Sequence, residues 1–308
     1  MKKNILCFYL FAFVSFFCFS EINISFIPSL KTTLGKYGEY VYSYSGKSII
    51  SYLEWENMPL FKLGCDAKIS YKKLLLSGSF FYGLPLECGK MYDSDWDSYG
   101  TKTTYSISSN NALKNYDFSL SLSYIIDCKY FYLIPEFSYL YYYDFFQTSN
   151  GEGWYGRDIY SKTGKTVSWD SPDARHYRKL SRIELQRTSK FYFIGLNGQI
   201  NLGKYFELTL GTFLSPYAYV YNSDLHRDDN GTNRDFYLNS TQEMNFSRFL
   251  EEVSVTCNLS QYISIPISFN CIFGDIEKGI LEEHEQYAGT DIVHFNIKIG
   301  CGINLFHF

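Results

Sequence analysis

The stretch that decides the fold is Val293-His294-Phe295-Asn296-Ile297-Lys298-Ile299-Gly300-Cys301-Gly302-Ile303-Asn304-Leu305. Its odd positions are apolar and its even positions are polar or glycine. Successive side chains of an extended chain point to opposite faces, so this reads as a strand with one apolar and one polar side. The same pattern recurs at Ile263, Ile265, Ile267, Phe269, Cys271 and Phe273, interleaved with Ser264, Pro266, Ser268 and Asn270. It returns along Tyr116, Phe118, Leu120, Leu122, Tyr124 and Ile126. A soluble sandwich can alternate in this way too. Two features tilt the choice to a membrane barrel. The polar faces carry Gly, Ser, Asn and Lys, which suit a lumen. The alternating runs also exceed the roughly 5–6 residues usual in a sandwich strand and approach the ~9–11 that cross a bilayer. Lipid tolerates strands only in a closed barrel, because an open edge leaves backbone groups unpaired. The expected fold class is all-β, a transmembrane antiparallel β-barrel that extends above the membrane on the extracellular side.

Working outward, strands are expected at 22–43, 49–71, 74–86, 114–127, 131–149, 182–203, 205–226, 247–260, 262–279 and 291–308. That makes ten, an even number, with both chain ends on the periplasmic side. Short links near Lys72-Lys73, Asp127-Cys128-Lys129, Gly203-Lys204 and Gln261 read as periplasmic turns. The polar segments 87–113, 150–181, 227–246 and 280–290 read as outer loops. Phe306 and Phe308 fall out of phase with the last strand, which predicts a bulge or frayed end there.

Residues 1–20 read as a signal peptide, with Lys2 and Lys3 ahead of an apolar run and cleavage expected after Ser20. Lipidation at Cys18 is the rival reading, disfavoured by the bulk of Phe17. Residues 21–308 then form a single barrel domain. Tyr (30) and Phe (27) are abundant where a soluble domain would use Leu, Val and Ala, and aromatic girdles at two lipid–water interfaces account for the excess. A formal charge of −4 argues against a nucleic-acid partner. Six cysteines stand singly after the leader (Cys65, Cys88, Cys128, Cys257, Cys271, Cys301), with no CxxC pair and no metal-ligand spacing. No metal or cofactor is expected.

Two constellations carry chemistry. Tyr92-Asp93-Ser94-Asp95-Trp96-Asp97 follows the third strand, and Asn222-Ser223-Asp224-Leu225-His226 ends the seventh. A spacing of two places both members of each pair on one face of an extended chain. Asp224 would fix the tautomer of His226 and raise its basicity, as a general base requires. Asp93 and Asp95 together would tend to hold a shared proton. Spacings this short are common by chance, and loop acids are usually solvated surface. Strand phase adds a conflict. Asp224 and His226 share parity with Phe206, Leu208 and Leu210, which look lipid-facing. Only a bulge between them, expected within 213–222, would turn the pair inward.

These blocks resemble the omptin family of outer-membrane aspartyl/histidine endopeptidases, as a distant member. Cys88 to Trp96 is similar to the omptin stretch with paired aspartates. Gly211-Thr212-Phe213 leading to Asp224-Leu225-His226 is similar to the strand that ends in the family's Asp–His dyad. Ser51-Tyr52-Leu53-Glu54-Trp55 resembles its second strand, and Gln186-Arg187 with Tyr192-Phe193-Ile194-Gly195-Leu196 its sixth. The resemblance implies a monomeric ten-stranded endopeptidase of the bacterial outer membrane that cuts near basic residues, its site facing the extracellular side. It implies Asp93, Asp95, Asp224 and His226 as catalytic, and Glu39, Met91 and Asn222 as substrate-binding. Tyr139 and Arg187 would contact outer-membrane lipid. Partners would be peptide or protein substrates. There are departures. Asn222 stands where the family has a second pocket acid, and Tyr141 and Tyr143 replace two lipid ligands. The Trp-Thr-Asp and Gln-Glu-Ser/Thr-Arg loop motifs are missing. A barrel that kept the fold without proteolysis, an adhesin or structural protein, is the alternative.

Overall fold

Alternation becomes paired strand along most of the chain. In the computed structural model, residues 22–160, 164–227, 233–240, 246, 248–281 and 286–307 are described. The leader expected over 1–20, and Phe308, lie outside the described residues. The strands are β1 (Ile22–Tyr42), β2 (Ile49–Tyr71), β3 (Leu74–Gly83), β4 (Glu87–Trp96), β5 (Lys102–Tyr124), β6 (Ile126–Asp127), β7 (Tyr132–Tyr155), β8 (Arg175–Leu180), β9 (Ile183–Leu202) and β10 (Phe206–Arg227). They continue with β11 (Asn233–Ser240), β12 (Arg248–Asn258), β13 (Ile263–Gly274), β14 (Glu277–Leu281), β15 (Gln286–Gly300) and β16 (Gly302–His307). Neighbours pair antiparallel, and β1 pairs with β2 on one edge and β15 on the other, which closes the sheet on itself.

Among the described residues the count is sixteen strands, not the ten expected. Segments assigned to outer loops carry the sheet upward: β4 lies between β2 and β5 above β3, β8 pairs with β7 above β9, and β11 pairs with β10 above β12. β14 likewise continues β13 against β15, β6 continues β5 against β7, and the chain breaks between β15 and β16 at Cys301. Polar composition led to the loop assignment, but a barrel wall standing clear of lipid is wetted on both faces and need not look apolar. The tight links fall where expected, with Lys72 and Lys129 in left-handed conformation (φ 53° and 73°). The phase break at the C-terminal end is a bulge: β1 loses register between Ile24 and Ser25, opposite Leu305. All six cysteines from Cys65 onward are unpaired thiols.

Near the tight links the outward face is a belt of Leu63, Leu120, Leu122, Ile194, Leu210, Phe269 and Phe295, each about half exposed (45–56 %). An apolar belt of this extent marks a surface built for lipid rather than water. The lumen behind it is polar. The Asp117 carboxylate accepts from Lys31 Nζ (3.1 Å) and Lys62 Nζ (2.8 Å), and Lys298 pairs with Asp66 (2.8 Å). Buried charges persist only when paired in this way. Above this layer Trp55, Phe146, Leu185, Phe191, Phe193, Val220 and Ile292, all fully buried, pack across the lumen and close it. Each such side chain contributes ~1.5–3 kcal/mol by leaving water.

Between these levels, bulges reset which residues point inward. On β10, Leu214 pairs with Ile194 and Tyr217 with Tyr192, so Ser215 and Pro216 together oppose Phe193. Pro216 has no N–H to give the ladder, and such residues are tolerated at bulges. Before the bulge, odd-numbered Gly211 and Phe213 are buried. Beyond it even-numbered Ala218, Val220, Asn222 and Asp224 are. The bulge thus falls inside the expected window. β2 switches parity in the same way at Met58–Pro59, and β5 at Leu113.

Candidate active site

Above the apolar plug lies a cavity of ≈ 410 Å³, lined among others by Glu39, Ser51, Leu53, Asp93, Asp95, Thr104, Tyr155, Asp224 and His226. Its residues come from opposite walls. β4 carries Asp93 and Asp95 between β2 and β5, where they pair with Leu53 and Ser51 and with Ser106 and Thr104. β10, past its bulge, carries Asp224 and His226. The two halves, 131 residues apart in sequence from Asp93 to Asp224, therefore face a common space. Leu238, Leu281 and Ala288 pack into a small apolar wall on the β11–β14–β15 side.

His226 Nε2 lies 2.9 Å from Asp224 Oδ2. Burial alone would push the imidazole down. The Asp224 carboxylate and its hydrogen bond, then Asp93 and Glu39, overcome this and raise it to about 9. With Nε2 committed to Asp224, Nδ1 is the ring atom suited to take a proton. Asp93 is pushed up to about 7, first by burial and then by Asp95, against the pull of His226. Arg157, at the start of the β7–β8 connection, places Nη2 3.6 Å from Asp95 Oδ2.

Glu39, on β1, is 8 % exposed and held from two sides. Trp55 Nε1 donates to Oε2 (2.9 Å) and Asn222 Nδ2 donates to Oε1 (2.7 Å). Its carboxyl is raised to about 7, by burial and then by Asp224, while Arg187 and the two donors oppose the rise. Among the described residues, buried Asp224 Oδ1 and Asn222 Oδ1 have no hydrogen-bond partner. A buried carboxylate beside the unsatisfied Asp224 Oδ1 suits a ligand rich in N–H donors.

Three expected site residues sit elsewhere than the cavity wall. Met91, 1 % exposed and paired with Trp55, packs into the apolar plug, so its expected substrate contact gives way to a role in the floor. Asn222 is fully buried and reaches the cavity only through Glu39. Arg187 corrects the expected lipid contact. It is fully buried inside the barrel, its guanidinium lying over the Tyr37 ring and donating to Thr290 Oγ1 and to the Asp291 carbonyl (3.1 Å). The upper part of β9 turns its odd positions inward, a parity that composition does not reveal. Tyr139 does face outward, beside Tyr192 (5.0 Å between ring centres). Trp55, Tyr155 and Arg157 were missed as contributors. Trp55 was visible within the Ser51–Trp55 block, but nothing local distinguished the other two.

A family model described as the Omptin family matches residues 20–295. Among solved structures, the outer membrane protease OmpT from Escherichia coli superposes with a TM-score of 0.77 at 17 % identity, covering 92 % of this chain and 97 % of that one. The translocator domain of the autotransporter NalP from Neisseria meningitidis also matches, covering 98 % of this chain and 95 % of that one, with a TM-score of only 0.37 at 10 % identity. No curated protein matches the sequence.

Proposed function

Because the chain belongs to the omptin family, we propose that it is an outer-membrane endopeptidase in which a water, not a side chain, attacks the peptide bond. The observation that carries this is the single cavity lined by Asp93, Asp95, Asp224 and His226, with the Asp–His pair at 2.9 Å. A water between His226 and Asp93 gives a proton to imidazole Nδ1 as its oxygen bonds to the scissile carbonyl carbon. The Asp224 carboxylate stabilises the imidazolium that results. Asp93, near half-protonated at neutral pH, then gives a proton toward the oxyanion or the departing amine as the C–N bond breaks. No acyl-enzyme forms.

Glu39 selects the substrate side chain. Its two neutral donors leave it anionic above about pH 7, suited to Lys or Arg through charge-assisted hydrogen bonds. With Asn222 in place of a second acid, the pocket holds one negative charge where two would bind a basic side chain more strongly. The apolar belt spans the outer membrane and the cavity opens on the extracellular side, where the wall rises clear of lipid. Tyr139 and its neighbours on the outer face contact membrane lipid. The apolar plug across the lumen speaks against a pore.

Cleavage of a mixed peptide library by refolded protein, read by mass spectrometry beside His226→Ala and Asp93→Ala, tests the proposal. Cuts present in the wild type and absent in both folded variants are expected. Cuts that persist in both variants would overturn it.

A further inference from the structure

The sign of charge at the mouth sets a problem. A tetrahedral oxyanion must form beside Asp93 and Asp95, with Asp224 and Glu39 in the same cavity. His226 is the cationic partner the proposed reaction uses, and it stands on the Asp224 side. On the Asp95 side the chain supplies Arg157, with Nη2 3.6 Å from Asp95 Oδ2 and its side chain 55 % exposed.

This contact is not a chance surface pairing, because the turn that presents Arg157 is fixed from three sides. Gly156 donates its N–H to the Thr103 carbonyl of β5 (2.8 Å). It also lies so close to the returning chain that a Cβ there would stand 2.0 Å from the Val167 carbonyl oxygen. Asp158 accepts from the Tyr177 hydroxyl of β8 (2.5 Å). Trp169 donates its backbone N–H to the Lys102 carbonyl (3.0 Å), and its ring packs on Tyr105 (4.7 Å). An exposed ion pair adds little to stability, typically ~0–1 kcal/mol. Three anchors for a contact worth so little to the fold point to a purpose in the cavity.

We propose that Arg157 is a positioning residue of the hydrolytic site, reached from the β7–β8 connection, which holds Asp95 and supplies the positive charge that lets a substrate carbonyl approach the carboxylate couple. The assignment rests on the proteolytic reading for its purpose but not for its test. The charged and titratable groups that bear on Asp93 are Asp95 on its own strand, Asp224 and His226 from β10, Lys102 from β5, Tyr155 from β7 and Arg157. Arg157 is among those that lower Asp93.

The experiment follows the Asp93 carboxyl by carbon-13 NMR in aspartate-labelled, refolded protein, comparing wild type, Arg157→Gln and Arg157→Lys. It reads the same whether or not the protein cleaves peptide. Loss of the charge in Arg157→Gln is expected to move the Asp93 midpoint upward by about half a unit, the ~1–3 units of a close opposite charge discounted for exposure. Arg157→Lys is expected to stay near wild type. On a cleaved peptide, Arg157→Gln lowers kcat about tenfold with little change in KM, and the lysine variant recovers most of it. An unmoved Asp93 midpoint overturns the proposal, as does equal loss in the glutamine and lysine variants. Absence of cleavage by folded wild type would count against the proteolytic reading alone, because the titration still decides the placement of Arg157.

Discussion

Asp224→Asn removes the charge that raises His226 and keeps the shape of the pair. The imidazole, held at about 9 in the wild type, then falls back toward the ordinary ~6.5. A general base works only when neutral. At pH 7 a group titrating near 9 is neutral in ~1 % of molecules, whereas one titrating near 6.5 is neutral in ~75 %. The intrinsic cost of losing the orienting carboxylate is on the order of a thousandfold, within the usual range for acid–base partners. At pH 7 the gain in neutral imidazole, ~75-fold, masks most of that cost, leaving a deficit of only ~13-fold. At pH 9.5 the wild type is itself ~75 % neutral, and the deficit opens to nearly the full thousandfold. The assay is kcat/KM on a fluorogenic peptide from pH 6 to 10. Because the same reaction needs Asp93 protonated and its carboxyl sits at about 7, the wild type is expected to stay within about twofold from pH 7 to 9, while the variant falls by more than about tenfold over that range. A variant deficit that does not grow with pH would refute His226 as the base.

Other perturbations address separate layers. Deleting Pro216 removes one residue of the two-against-one bulge and turns Asp224 and His226 outward. Cleavage should vanish while the unheated barrel still migrates as a folded band on a gel, and surviving activity would show that the bulge does not set the site. Glu39→Gln should weaken cleavage beside Lys or Arg by roughly tenfold to hundredfold, as expected for losing ~1.5–3 kcal/mol of charged hydrogen bonding. In the wild type that preference should strengthen from pH 6 to 8, as a carboxyl raised to about 7 gains its charge, and in the variant it should not. Glu277→Ala strands the buried Arg248, which Glu277 contacts at 3.1 Å, and should cost about 3–5 kcal/mol in a urea titration. In a planar bilayer the wild type should show no conductance steps, because Trp55, Phe146, Phe191 and Phe193 close the lumen. Steady steps would mean that the plug opens.

Much of the fold was legible in the sequence because strand periodicity is local. The alternation from Val293 to Leu305 states which face meets lipid, and the tight links at Lys72, Lys129 and Gly203 follow from turn chemistry. Even the β10 bulge could be inferred, since Phe206 and Asp224 cannot share a face and both be satisfied. The wall above the lipid was not legible. β4 and β8 carry polar residues on both sides, and composition does not distinguish such strands from loops.

The sequence by itself determined the closed-barrel class, the two short acid and acid–imidazole motifs, and the need for a bulge between the lipid-facing and site-facing parts of β10. Only the tertiary structure decided which residues share the cavity. Closure of the sheet sets β4 across the cavity from β10 over a gap of 131 residues and lets Trp55 and Asn222 meet at Glu39. It turns Arg187 inward, onto Tyr37 and away from lipid, and carries Arg157 from a distant connection to Asp95. These contacts depend on register around the ring, which every strand sets jointly and no single stretch of sequence encodes.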